Sequence, residues 1–297
     1  MNQSRAALVA IAVVIPLAMI ATVYTGGNSA QQVSGQQHKL KIVASFYPLY
    51  DFTSHVAGDR AEVSSLIPAG IEPHDWEPTA GDTLRVRDAD MLIINGAGIE
   101  GWAGSIGAKE IVDTSQGIDF DHSNPHVWLD PVLAKHQVEK IRDALVSADP
   151  VNADYYSKNA ANFETELDSL DASVKSALAN CEKSDFIAFH DAFLHFAKRY
   201  GLAQHSIEGV SPEGEVLPQK LQQVVELARK LGISVIYSED LVDSRLADTI
   251  AAEIPNGRVL VLSPIEGINQ QQQAEGIGYL EKMNENIVNL KEGLVCR

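Results

Sequence analysis

The sequence predicts an α/β protein of two lobes, each with a central parallel sheet flanked by helices, joined by one long backbone helix, with a cleft between the lobes. Three observations carry this expectation. Short apolar runs alternate with helix-like segments twice over, the pattern of parallel sheets with crossover helices. One long amphipathic stretch without Gly or Pro separates the two sets. Three histidines, His74, His126 and His190, each sit just beyond a predicted strand, at the end of a parallel sheet where such folds bind ligands.

The elements follow in order. Residues 39–45 (KLKIVAS) open the first lobe as a strand, and 48–57 form a helix with apolar spacing. Residues 61–67 (AEVSSLI) are the second strand and lead to His74. Residues 90–95 (DMLIIN) are a short apolar run of buried-strand type. The Gly96-Ala97-Gly98 turn that ends it lacks the G-x-G-x-x-G and Walker spacings, so it reads as a plain turn rather than a phosphate cradle. Residues 111–113 make a weak fourth strand before the loop that carries His126. Asp130-Pro131 has the form of a helix cap followed by Pro at the first turn, and Thr79 with Asp82 has that of a capping box.

The long helix is the most legible element. Asp149 can cap it, Pro150 fits its first position, and 151–180 continue without a breaker. Tyr156, Ala160, Phe163, Leu167, Leu170, Val174 and Leu178 step by three and four, one apolar stripe. A helix of that length reaches about 45 Å, too far for a crossover inside one lobe. It is expected to be a strut lying across both. The second lobe repeats the plan: strands over 185–189, 204–207, 233–237 and 258–262, with helices over 192–200, 218–231, 246–253 and 278–290. Gly201 and Gly232 stop two of these helices, and Asp191 could cap the first. The expected division is therefore 1–38, 39–148, 149–181 and 182–297.

The N-terminal part differs in kind. Residues 6–24 run without a charge, and about 18 or more such residues can span a bilayer, whereas a cleaved signal has a shorter apolar region. Pro16 interrupts the run, which a spanning helix tolerates. An uncleaved anchor is the expectation, with cleavage near Ser29-Ala30 as the alternative; the body lies outside the cytoplasm either way. Residues 25–38 are rich in Gly, Ser, Asn and Gln and read as a tether. No cysteine lies near the apolar run, which argues against a lipoprotein anchor. The only two, Cys181 and Cys296, can pair outside the cell, fastening the C-terminal end to the start of the second lobe. The formal charge of −17 argues against a nucleic-acid partner, which needs a basic face.

Converging imidazoles make a transition-metal site, and three histidines with an open fourth position suit zinc. His74 and His126 share a context, His-x-Trp followed by a Pro. His55, His136 and His195 fall within helices, His205 in a strand and His38 in the tether, so these read as structural. His122, in a polar loop with Asp119 and Asp121, reads as solvated, with a secondary cation contact as the alternative. Trp76 and Trp128 read as packing residues. Glu239, just past the ISVIY strand, or a water could be the fourth ligand. Ser263, past the RVLVL strand, has the right place but a poor donor. Neither an H-E-x-x-H helix nor a G-x-S-x-G elbow is present, so binding is favoured over catalysis.

Together the segments SFYPLYDF, GIEPHDWEPT, DADMLIINGAGIE, NPHVWLDPVLAKHQVE, FIAFHDAFLHFAKRYGL, EGVSPEGEVLPQKL and VIYSEDLVDSRLADTIAAEI resemble the zinc/manganese solute-binding proteins of ABC importers, from about residue 39 onward. The resemblance implies two α/β lobes joined by one backbone helix, and capture of a divalent metal outside the membrane for delivery to a permease. It implies a binding protein, expected to be a monomer, and no enzyme. It places the first, second and third ligands on His74, His126 and His190. Manganese-handling members tend to have a carboxylate at the third position, so Zn2+ is expected here and Mn2+ is the alternative. The family's fourth ligand, often an aspartate after the last strand, falls on Ser263. The long His- and Asp-rich loop of many zinc members is reduced to Asp119-Phe120-Asp121-His122-Ser123. An extracytoplasmic zinc-dependent hydrolase and a metal-stabilised surface adhesin are the competing expectations.

Overall fold

Apolar strands organise two four-stranded parallel sheets in the computed structural model, which describes residues 39–121, 123–212 and 217–297. The first is built from β1 (Leu40–Ala44), β2 (Ala61–Ser65), β3 (Met91–Ile94) and β4 (Ile111–Asp113), in the order β2-β1-β3-β4. The second comes from β5 (Asp185–Ala188), β6 (Ala203–Ser206), β7 (Val235–Ser238) and β8 (Arg258–Val261), in the order β6-β5-β7-β8. In each sheet the first strand is internal, with the second on one flank and the third on the other. The winding reverses there, and a crevice opens outside the strands' carboxyl ends. β3 and β7 are buried along their whole length, as strands covered on both faces should be.

The helices are α1 (Tyr47–Ala57), α2 (Ala80–Asp88), α3 (Pro131–Ala148), α4 (Ala153–Leu178), α5 (Leu194–Tyr200), α6 (Pro218–Leu231), α7 (Arg245–Ala252), α8 (Gln270–Glu275) and α9 (Tyr279–Gly293). Two caps form as the sequence suggested. Thr79 and Asp82 make a reciprocal capping box at α2, and the Asp130 carboxylate accepts the Val132 and Leu133 amides at α3. Two do not. Asp149 closes α3 at its C-terminal end, and its carboxylate accepts from the Asn152 side-chain Nδ2 and the Tyr156 hydroxyl instead of capping the long helix. A 3-10 turn, Pro150–Asn152, intervenes before α4. Asp191 caps nothing, because α5 begins only at Leu194.

α4 is the strut. Its buried stripe is Tyr156, Ala160, Phe163, Leu167, Leu170 and Val174. With 26 residues it extends about 39 Å and packs on α1 and α3 of the first lobe and on α5 and α9 of the second. One continuous apolar core therefore crosses both lobes, from Ile42 and Phe52 through Trp128 and Phe163 to Phe186, Tyr237 and Met283. Smaller clusters around Leu92 and Ile236 fill the outer faces. Cys181 and Cys296 form a disulfide that ties the chain just after α4 to the chain just after α9. Residues 39–297 make one compact unit. The apolar segment over 6–24, the tether and His122 lie outside the described residues, and no described helix is long and apolar enough to cross a membrane.

Candidate metal centre

Four loops leave the carboxyl ends of β2, β4, β5 and β8, and each delivers one donor to a common point. His74 follows β2 on a segment pinned to the second lobe by the Gly70 N–H to Ile268 carbonyl bond, 2.8 Å. Gly70 has φ of 85°, a conformation that suits glycine. His126 opens the short 3-10 turn before α3. His190 lies two residues past the end of β5. The fourth donor is Glu266, in the loop between β8 and α8.

The local structure around Glu266 explains how it gets there. Ile265, the residue before it, has φ of 56°, a strained choice for a β-branched residue. The turn is held on all sides. Ser263 Oγ accepts the Ile265 amide at 3.2 Å, and the Asn286 side chain both accepts the Ser263 N–H and donates to its carbonyl. The Trp128 indole N–H donates to the Pro264 carbonyl at 2.7 Å. Ser263 thus shapes the turn that presents the carboxylate, and Trp128 is a tether as well as a packing residue.

His74, His126, His190 and Glu266 each offer one atom, all within 4.8 Å of one another. His126 Nε2 lies 3.2 Å from both His74 Nε2 and His190 Nε2. Glu266 Oε1 lies 3.0, 2.9 and 3.3 Å from the Nε2 atoms of His74, His126 and His190. Donors about 2.0–2.1 Å from a tetrahedral zinc stand roughly 3.3 Å apart, so these separations match the edges of such a site. The other carboxylate oxygen, Glu266 Oε2, is buried without a hydrogen-bond partner, a costly state that a bound cation would relieve. The donor set fits a metal ion.

Glu239, read from the sequence as a fourth ligand, sits elsewhere. Its Oε1 accepts from His190 Nδ1 at 2.6 Å and from the His190 amide at 3.2 Å, behind the ring rather than in front of it. The cluster takes its fourth donor from Glu266. Glu266 stands three positions beyond Ser263. It is the sole acid between Glu253 and Glu275, in the loop after the last strand, but nothing local in the sequence marks it as a donor.

The electrostatics prepare these groups unequally. Burial holds the His126 imidazole down at about 3, against the pull of Glu266. Burial also presses on His190, but the Glu239 and Glu266 carboxylates outweigh it and hold that ring well above the usual histidine range. Burial disfavours a charged Glu266, yet the His190 charge and hydrogen bonds from the three histidines keep it well below the usual carboxylate range. Glu72, near the His74 amide, is pushed up to about 9 by burial and the Glu266 charge.

Residues 42–293 match the family described as ZnuA, zinc-uptake complex component A, periplasmic. The chain is 36% identical over 298 aligned residues to the high-affinity zinc uptake system protein ZnuA of Bacillus subtilis, covering 91% of this chain and 93% of that one. It is 34% identical to the zinc-binding lipoprotein AdcA of Streptococcus pneumoniae, matching 86% of this chain but spanning only 56% of AdcA. The solved Zn(II)-bound ZnuA-like domain of that AdcA superposes with a TM-score of 0.79 at 34% identity, over 86% of this chain and 99% of the domain. The laminin-binding protein Lmb of Streptococcus agalactiae, a bifunctional protein with adhesin and metal-transporting activity, gives a TM-score of 0.81 at 30% identity, over 86% of this chain and all of that one. With the fold, the cleft and these matches in agreement, the chain belongs to the ZnuA family of zinc-uptake components.

Proposed function

We propose that this protein captures Zn2+ outside the cytoplasm and delivers it to an ABC permease for import. The supporting observation is the cluster of three imidazole Nε2 atoms and one carboxylate oxygen at tetrahedral spacing. Three nitrogens and one oxygen suit zinc better than manganese, which favours oxygen-rich octahedral sites. His74, His126, His190 and Glu266 are the ligands in this reading. Glu239 orients His190 and polarises it, as a carboxylate behind a zinc-bound histidine commonly does. Four protein donors fill a tetrahedron, whereas catalytic zinc keeps a position open for water; a carrier is favoured over a hydrolase.

The chain works as a monomer of two lobes, 39–148 and 182–297, with 149–181 as the linking element. Residues 6–24 hold it at the outer face of the membrane, or direct its secretion if they are cleaved. Zinc uptake tests the whole reading. Cells whose sole copy carries His126→Ala should accumulate radioactive zinc far more slowly than wild type at limiting zinc, with manganese uptake unchanged. Equal zinc uptake by the two strains would overturn it.

A further inference from the structure

Resting on that zinc reading, we infer that Asn124 is an interlobe positioning residue that orients His126 and ties it to the segment bearing His190. Asn124 is fully buried. Its Oδ1 accepts from His126 Nδ1 at 2.9 Å and from the His126 amide at 3.2 Å. Its Nδ2 donates to the Asp191 carbonyl at 2.5 Å. A backbone carbonyl can only accept, so this bond fixes which end of the Asn124 amide is nitrogen. The amide oxygen must then face His126, and His126 Nδ1 must carry the hydrogen. His126 Nε2 is left with its lone pair directed at the cluster.

The same side chain joins the lobes. His126 leaves the first sheet and Asp191 is the residue after His190, so one amide group spans two metal-bearing loops. The bridge is reinforced on both sides. His195 Nε2, on α5, donates to the Asn124 carbonyl at 2.8 Å, and the Asp191 amide donates to the Gly209 carbonyl at 2.7 Å. His190 is oriented differently, by Glu239 from the neighbouring strand of its own sheet. Of the two Nδ1 partners, Asn124 alone makes the position of a first-lobe ligand depend on the position of the second lobe. Any loosening of the cleft pulls on that bond and turns His126 out of register, which couples metal release to lobe movement.

Two variants of the full chain separate the two halves of this role. Asn124→Ala removes all three side-chain bonds. Asn124→Asp keeps an oxygen for His126 Nδ1 but sets a carboxylate oxygen against the Asp191 carbonyl, breaking the interlobe half alone. Zinc release is followed by stopped flow into a chromophoric chelator, and the His126 tautomer by nitrogen NMR of the imidazoles, with thermal melts confirming a folded chain. Asn124→Ala should release zinc about 10–100-fold faster, the usual scale for removing such a support, and lose the pure Nδ1–H tautomer. Asn124→Asp should keep that tautomer and still release zinc at least about tenfold faster. If Asn124→Ala does not fold, Asn124→Asp decides alone. A wild-type release rate in Asn124→Asp overturns the interlobe role, and a wild-type tautomer in Asn124→Ala overturns the orienting role. A wild-type protein that takes up no zinc would instead sink the proposed function.

Discussion

Glu239 and Glu266 both contact His190, but on opposite nitrogens, and that separates a supporting role from a ligand role. Removing the carboxylate behind the ring should weaken zinc binding about 10–100-fold in Glu239→Ala. Glu266→Ala should weaken it further, since it removes a donor. Competition against a chelator of known affinity measures both, and a smaller loss in Glu266→Ala would reverse the roles. The pH dependence has a definite sign. His190 is held above the usual range, so the metal-free site carries a proton there that zinc must displace. Affinity should therefore fall as pH drops from 8 to 5, by up to about tenfold per unit for each proton released. A flat affinity over that range would contradict the assignment. The histidines were legible from sequence because each stands at the same kind of place, in a loop that leaves the carboxyl end of a strand. Glu266 was not, because its reach depends on the left-handed Ile265 and the Asn286 bracket, which no local pattern announces.

At the scale of elements, periodicity decided what could be read. The α4 stripe repeats at helical spacing and was visible at once. Phe163 is its central large side chain, packed on Phe52 and stacked against His55. Phe163→Ala should cost about 3–5 kcal/mol in chemical denaturation, the usual range for a buried aromatic. A loss below about 1 kcal/mol would mean that the strut is not central to the core. The full extent of α3 was missed because its outward face is a run of charged residues and one of its buried positions is polar: Gln137 donates to Asn95 and Thr114. The turn after β3 also hides a buried acid. Glu100 accepts from the Ser45 hydroxyl and from the Asn95 and Gly96 amides, and burial pushes it up to about 7. A raised carboxyl favours the folded state below its unfolded pKa, and that advantage is lost as pH rises through the folded value. Between pH 4.5 and 7 wild type should lose stability relative to Glu100→Gln; parallel curves for the two proteins would rule this out.

For the whole molecule, two features imply a stiff frame. The apolar core is continuous across both lobes, and α4 packs on helices from each. The lobes also exchange polar bonds directly, through Trp128 to Pro264, Gly70 to Ile268, Tyr47 to Ile277 and the Arg199–Asp130 pair. Small-angle scattering should show little compaction when zinc is added, and a large change in radius of gyration would contradict this rigidity. The two-lobe α/β plan followed from the alternation of strands and helices, because burial on both sheet faces leaves its mark on inner strands such as β3 and β7. How the lobes are stapled did not, because those bonds join residues far apart in sequence. The most direct test of the central claim is competitive metal titration of wild type and Glu266→Ala with zinc and manganese. Wild type should bind one zinc tightly per chain and manganese much more weakly, and the variant should show a marked loss of zinc affinity. Tight manganese binding, or zinc binding indifferent to Glu266, would contradict it.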